Sequence, residues 1–342
     1  MRVTASQVLQ EIYAAPDAVR NMLAVNRAEL PALARRLRDL QPPAVVTIAR
    51  GSSDHAATFF KYLCEIKLGI PVASLGPSLA TLYHAPLRME GLASLAISQS
   101  GASPDLVALQ QAVGEAGGMT IAAVNARGSP LSKASEVSLD LGAGPELSVA
   151  ATKSFIASAT LGATLVANWA EDAELLAALE RLPQVLTNAI ACDWGAAVDA
   201  LTDVASLYVV GRGPGLAMAG EAALKLKEMC GLHAEAYSAA ELLHGPVALA
   251  GPDFPVLVLA GGISDRTPAA LASRLAADGV PVYLAGGQAE GVAFLPVAAS
   301  DHLFTDYIAR IASFYVFAEA LARRRGFDPD RPPKLKKVTR TF

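Results

Sequence analysis

Short apolar runs closed by glycine or serine alternate along this chain with longer stretches whose apolar positions recur every three or four residues. Residues 45–49, 94–97 and 120–124, and again 207–210, 256–259 and 280–284, have the length and unbroken apolar character of strands buried on both faces. The stretches between them have helical spacing, so the pattern predicts parallel sheets with crossover helices. The spacing also repeats. Arg50-Gly51 and Arg212-Gly213 follow a strand in each half, and these pairs, Ile97 and Leu259, and Ile121 and Tyr283 are all separated by 162 residues. One offset that aligns three strands predicts two copies of one domain. The fold class is α/β: two tandem doubly wound, flavodoxin-like parallel-sheet domains with flanking helices. The expected boundaries are N-terminal helices at 1–39, a first domain at 40–170, a helical linker at 171–200, a second domain at 201–331 and a tail at 332–342. Residues 4–39 are expected to pack outside the first copy, with Pro16 and Pro31 near helix starts.

Composition agrees with that picture and removes other classes. Hydrophobic residues make up 53% of the chain and charged residues 18%, and the mean hydropathy is +0.37; the chain is not a disordered one. A net charge of −4 gives no basis for nonspecific nucleic-acid binding. Cys64, Cys192 and Cys230 are far apart and form no CxxC pair, which points to reduced core thiols and a cytoplasmic protein. No histidine pair has metal-ligand spacing on a helix, so a metal site is not expected; no organic cofactor is expected either. Residues 155–170 are the most apolar stretch, but Ser158, Thr160, Thr164 and Asn168 fall inside it, and it reads as a buried core helix rather than a membrane span. The start of the chain lacks the apolar core of a signal peptide.

Candidate chemistry concentrates in two places. Doubly wound sheets bind ligands where strands turn into helices at their carboxyl ends. Two such turns in the first half are rich in hydroxyls: Gly51-Ser52-Ser53, and Ser98-Gln99-Ser100-Gly101-Ala102-Ser103. Helix-capping serines or a phosphate cradle would both read this way. With no lysine in either turn, a nucleotide P-loop is not supported. The corresponding turns of the second half, Gly213-Pro214-Gly215 and Gly261-Gly262, have lost the serines, so a single phosphate site is expected. The other place is 221–248, which gathers Glu221, Lys225, Lys227, Glu228, His233, Glu235, Glu241 and His244, including two of the five histidines. Glu221, Lys225 and Glu228 share a helix face; they could form a solvated salt-bridged surface or a proton-transfer site.

With these residues identified, the chain resembles the tandem SIS (sugar isomerase) family, including the isomerase half of glucosamine-6-phosphate synthase and the stand-alone, metal-independent glucosamine-6-phosphate deaminases. The matching stretches are RGSSDHAA at 50–57, ISQSGASPD at 97–105, ELSVAATKSF at 146–155, GEAALKLKE at 220–228, HAEAYSAAELLHGP at 233–246 and the tail KLKKVTRTF. The resemblance implies a site for a hexose or hexosamine 6-phosphate. Its phosphate contacts fall on Ser53, Ser98, Gln99, Ser100 and Ser103, beside Ser52, and further substrate contacts on Val149 and Ala151. Glu228 matches the base that moves a proton between C1 and C2, and Lys225 the lysine that polarises the substrate or holds that glutamate. His244 matches the ring-opening acid/base, reaching a neighbouring subunit's site in a homodimer with shared active sites. Lys337 matches the lysine that closes the site and forms a Schiff base with the open-chain sugar.

Two departures matter. Ala151 stands where the synthase has a serine, and the matching region starts within about 40 residues of Met1, so glutamine hydrolysis is expected to be absent. Loss of ammonia from glucosamine 6-phosphate, giving fructose 6-phosphate, is therefore the expected reaction. The alternatives are synthesis from free ammonia or from a separate ammonia-supplying subunit, a sugar-phosphate–amine deglycase, and a non-catalytic sugar-phosphate sensor. No nucleic-acid or membrane partner is expected. Asp54 and His55 read as a helix start, His84 as a pocket or interface residue, Arg323-Arg324-Arg325 as a solvated helix end, and 328–333 as a stiff lead-in to the tail.

Overall fold

A computed structural model of the protein describes residues 5–262 and 266–337. Ten strands among these residues form two five-stranded sheets, parallel throughout. The first contains β1 (Val45–Ile48), β2 (Val72–Ser74), β3 (Ala93–Ser98), β4 (Met119–Val124) and β5 (Val137–Asp140), in the order β2-β1-β3-β4-β5. The second contains β6 (Ser206–Gly211), β7 (His233–Ser238), β8 (Val256–Leu259), β9 (Val282–Ala285) and β10 (Ala293–Leu295), in the order β10-β9-β8-β6-β7. Read from the other edge, the second order is the first one again. The central strands β1, β3 and β8 are buried at every position, as unbroken apolar runs require in a doubly covered sheet.

The chain divides into two compact units. One is Asp17–Glu146 with Lys153–Glu180 and the described tail residues Lys336 and Lys337; it carries the first sheet. The other is the segment ending at Pro16, with Leu147–Thr152 and Arg181–Leu335, and it carries the second sheet.

In the first-sheet unit, the helix Lys153–Trp169 lies in the core along almost its whole length. Its polar residues survive burial by bonding back along their own helix. Ser158 Oγ donates to Ser154 O at 2.8 Å, Thr160 to Ile156 O and Thr164 to Thr160 O at 2.7 Å each, and Asn168 Nδ2 to Thr164 O at 2.8 Å. Gly162 lets the helix Ser52–Leu68 approach closely, since a Cβ there would lie 3.3 Å from Phe60 Cβ. No helix among the described residues is long and apolar enough to cross a membrane.

In the second-sheet unit, the long helix Leu303–Arg324 packs beside Gly215–Cys230. The first helix of the chain, Gln7–Tyr13, also belongs here, which corrects the expectation that all of 4–39 packs outside the first copy. It rests on Leu303–Arg324, and Ser6 Oγ donates to Glu319 Oε1 at 2.5 Å. The Asp330 carboxylate accepts from Gln7 N at 2.8 Å and Val8 N at 2.9 Å, satisfying two open N–H groups at the helix start. The helices Ala15–Val25 and Glu29–Leu40 follow, with Pro16 and Pro31 in their first turns. The arginine run is not merely solvated. Arg325 donates to Cys230 O at 2.9 Å, Thr202 O at 2.6 Å and Val204 O at 2.9 Å, tying a helix end to a loop, while Arg324 pairs with Asp199 at 3.0 Å.

Candidate active site

In the first-sheet unit, β1 and β3 are neighbours, and the sheet's strand order reverses between them. Both serine-rich turns leave the carboxyl ends of these two strands, where a doubly wound sheet holds its ligand. After β1, Gly51 adopts φ +56°, and Ser52 and Ser53 open the helix Ser52–Leu68, with Asp54 N and His55 N bonded to Gly51 O at 2.9 and 3.2 Å. Asp54 and His55 thus occupy the helix start, as expected; burial raises the Asp54 carboxyl above its usual range.

After β3, the turn is held by its own hydroxyls. Ser98 Oγ accepts from Gly101 N at 3.1 Å and Ser100 Oγ from Ala102 N at 3.3 Å, and as hydroxyls both can also donate. Gly101 is obligatory: its φ is +59°, and a Cβ would fall 2.1 Å from Ser129 Oγ. Gln99 O accepts from Asn125 N at 3.2 Å and Gly101 O from Leu131 N at 2.9 Å, fixing the turn to the next strand and its loop. Ser103 is the N-cap of Pro104–Glu115 yet makes no side-chain cap bond. The two turns are joined by a pair that sequence reasoning missed: Arg50 Nη2 lies 2.5 Å from Asp105 Oδ2, and Asp105 is buried. The only signal was an arginine at a strand end and an acid in the first turn of the next helix, and neither announces its partner.

The same unit contains Glu146 and Lys337. Glu146 is buried and accepts from Ser154 N at 3.0 Å and from Ser154 Oγ at 2.5 Å, and Lys337 Nζ lies 3.3 Å from its Oε2. The expected tail residues beyond Lys337 lie outside the described residues.

In the second-sheet unit, Leu147–Thr152 carries Val149 and Ala151, both part-exposed. Its backbone is gripped by another unforeseen residue: buried Glu11, on the first helix, accepts from Leu147 N and from Ser148 N at 3.3 Å. The helix Gly215–Cys230 brings together Glu221, Lys225 and Glu228. Lys225 is 1% exposed; its ammonium bonds Glu228 Oε2 and lies 3.7 Å from Glu221 Oε1, which also accepts from Tyr315 Oη at 2.8 Å. Glu228 retains 24% of its side-chain surface. A buried ammonium flanked by two carboxylates, one of them reachable, is not a solvated face. The remaining histidines disperse. His233 begins β7 and bonds Ser206 Oγ through Nδ1 at 3.0 Å, His244 is exposed after the helical turn Ala239–Leu242, and His84 is exposed with φ +44°. Among the described residues, no cluster of three or more histidine, cysteine, aspartate or glutamate side chains could hold a metal ion.

The SIS domain family matches residues 41–168 and 200–286, which take in β1–β5 and β6–β9, and the chain belongs to that family. Among curated relatives, it is 34% identical over 352 residues to glutamine–fructose-6-phosphate aminotransferase (isomerizing) of Aeropyrum pernix, covering 97% of this chain and 56% of the relative. The same-named protein of Aquifex aeolicus is 30% identical over 348 residues, covering 97% and 57%. The chain thus spans little more than half the length of these relatives. Among solved structures, a candidate phosphosugar isomerase from Silicibacter pomeroyi superposes with a TM-score of 0.91 at 44% identity, over 95% of this chain and 100% of that one. Glucosamine-6-phosphate deaminase from Thermotoga maritima shares the fold, with a TM-score of 0.78 at 20% identity over 98% and 100% of the two chains.

Proposed function

We propose that the protein is a phosphosugar-converting enzyme that deaminates a hexosamine 6-phosphate, turning glucosamine 6-phosphate and water into fructose 6-phosphate and ammonia. The observation that carries this reading is the buried Lys225 held between Glu221 and Glu228, with Glu228 alone of the three part-exposed. Glu228 is assigned the proton shuttle: it takes the proton from C2 of the open-chain amino sugar and returns it to C1. The C2–N bond becomes an iminium, water adds to it, and ammonia leaves. Lys225 orients the Glu228 carboxylate and offsets its charge.

The phosphate is assigned to Ser53, Ser98, Gln99, Ser100 and Ser103, with Ser52 beside them. What supports this is two hydroxyl-rich turns on adjacent strands at the reversal point of one sheet, with the Ser103 hydroxyl uncommitted to its helix. A clamp of this kind orients the sugar without joining the chemistry. Val149 and Ala151 are assigned to sugar contacts, His244 to ring opening and Lys337 to the open-chain carbonyl.

Incubating the purified protein with glucosamine 6-phosphate should release ammonium and fructose 6-phosphate in equal amounts. No ammonium from any hexosamine 6-phosphate would reject the deaminase reading. The names of the curated relatives favour a second direction, in which fructose 6-phosphate and an ammonia donor give glucosamine 6-phosphate. Net synthesis from free ammonium without measurable deamination would select it.

A further inference from the structure

Glu146 is a buried carboxylate to which the reaction above gives no part. Its side chain has 0% exposure, yet it sits where an anion is stable. Oε1 accepts from Ser154 N at 3.0 Å, and Oε2 accepts from Ser154 Oγ at 2.5 Å, so the group faces the first turn of the helix Lys153–Trp169. Open N–H groups and the positive end of a long helix favour a carboxylate there. Two anchors on one serine leave it little freedom to move. The same Oε2 lies 3.3 Å from Lys337 Nζ, across 191 positions of sequence.

Each partner supplies what the other lacks. A buried carboxylate is costly without a cation, and a lysine on a four-carbon stem loses rotamer freedom whenever it is held in one place. The acid is fixed in advance by the core helix, so it can hold the amine of a tail that has neither helix nor strand over residues 331–337.

We infer that Glu146 is the positioning residue for Lys337, docking the C-terminal tail and placing Nζ for attack on an open-chain sugar. The inference rests on the proposed reading of Lys337 as the carbonyl-directed amine. In the imine step, Nζ gives its ammonium proton to water while Glu146 stays ionised, and the free Nζ adds to the C2 carbonyl carbon of open-chain fructose 6-phosphate. One water leaves as the C=N bond forms, with no oxidant, reductant or third reactant required.

The test is reductive trapping of wild type with fructose 6-phosphate and cyanoborohydride, located by peptide mass spectrometry. Wild type should carry the adduct on Lys337. In Glu146→Gln, trapping should slow by roughly 10–10²-fold, because a misplaced reacting group costs that much, while fructose 6-phosphate affinity measured by calorimetry stays the same. A merely structural role would lower the melting temperature and leave the trapping rate of the folded protein unchanged. An equal rate in Glu146→Gln therefore overturns the inference while the Lys337 reading stands. Absence of a Lys337 adduct in wild type, with sugar-phosphate binding intact, overturns both. If Glu146→Gln does not fold, Glu146→Asp decides: it keeps the charge but shortens the reach by one methylene, and an undiminished rate counts against the inference.

Discussion

Lys225 is the residue on which the candidate chemistry depends, because an ammonium at 1% exposure needs the compensation that its two carboxylates give. Replacing it with Met removes one member of a buried ionic group and leaves Glu221 without its counter-charge. Lys225→Met should therefore cost about 3–5 kcal/mol in urea unfolding, and an unchanged midpoint would count against the triad. Glu228→Gln keeps the shape but cannot accept a proton. Its kcat should fall by roughly 10²–10⁴-fold while sugar-phosphate affinity holds. Solvent deuterium still entering at C1 or C2 in that variant would assign the proton to another residue. Both glutamates and the lysine were legible in sequence, because helical spacing i, i+4, i+7 puts them on one face. Their setting was not. Tyr315 reaches Glu221 across 94 positions, Glu11 reaches Leu147 across 136, and Arg50 meets Asp105 between separate loops. Such pairs follow from the tertiary path of the chain and leave no period behind.

Among the elements, the buried strands were legible and the edges were not. β1, β3, β4, β6, β8 and β9 are the apolar runs recognised in the sequence, whereas β2, β5, β7 and β10 each have a single hydrogen-bonded neighbour and mix buried with open positions. An edge strand with polar residues has no strong alternation to detect, and β7 lies within a segment whose charges suggested a site before they suggested a strand. The turn after β3 can be tested as an element. Gly101→Ala would force a Cβ into Ser129 at a positive φ, at a cost of about 1–3 kcal/mol, so both the melting temperature and the affinity for a hexose 6-phosphate should fall. Retained affinity would separate that turn from the ligand.

The thiols give a second test at this scale. Burial pushes Cys230 up to about 12 from 9.0 and Cys64 higher still, whereas Cys192 is part-exposed. A disulfide reagent at pH 8 should modify Cys192 alone in the native protein and all three thiols in urea. The native protein also keeps thiol protons that the unfolded chain loses above about pH 9, so stability should decline as pH rises from there towards 12.

At the scale of the whole molecule, the offset of 162 residues was the strongest sequence signal, and both sheets have the same strand order. Doubling leaves the two halves free to diverge: serines line the turns after β1 and β3, while Arg212-Gly213 and Gly261-Gly262 follow β6 and β8. Assembly is the remaining level, and His244 offers the test. It is exposed after a short helical turn, and its backbone N–H bonds Glu241 O at 3.0 Å. We propose that it serves a neighbouring subunit's site in a homodimer. Glu228→Gln and His244→Ala proteins should each be inactive alone. After dissociation and random reassembly, half the dimers would be mixed, and each would hold one site with a good glutamate from one chain and a good histidine from the other. Recovered activity should approach about a quarter of wild type. If subunit exchange is demonstrated and no activity returns, His244 serves the site of its own chain.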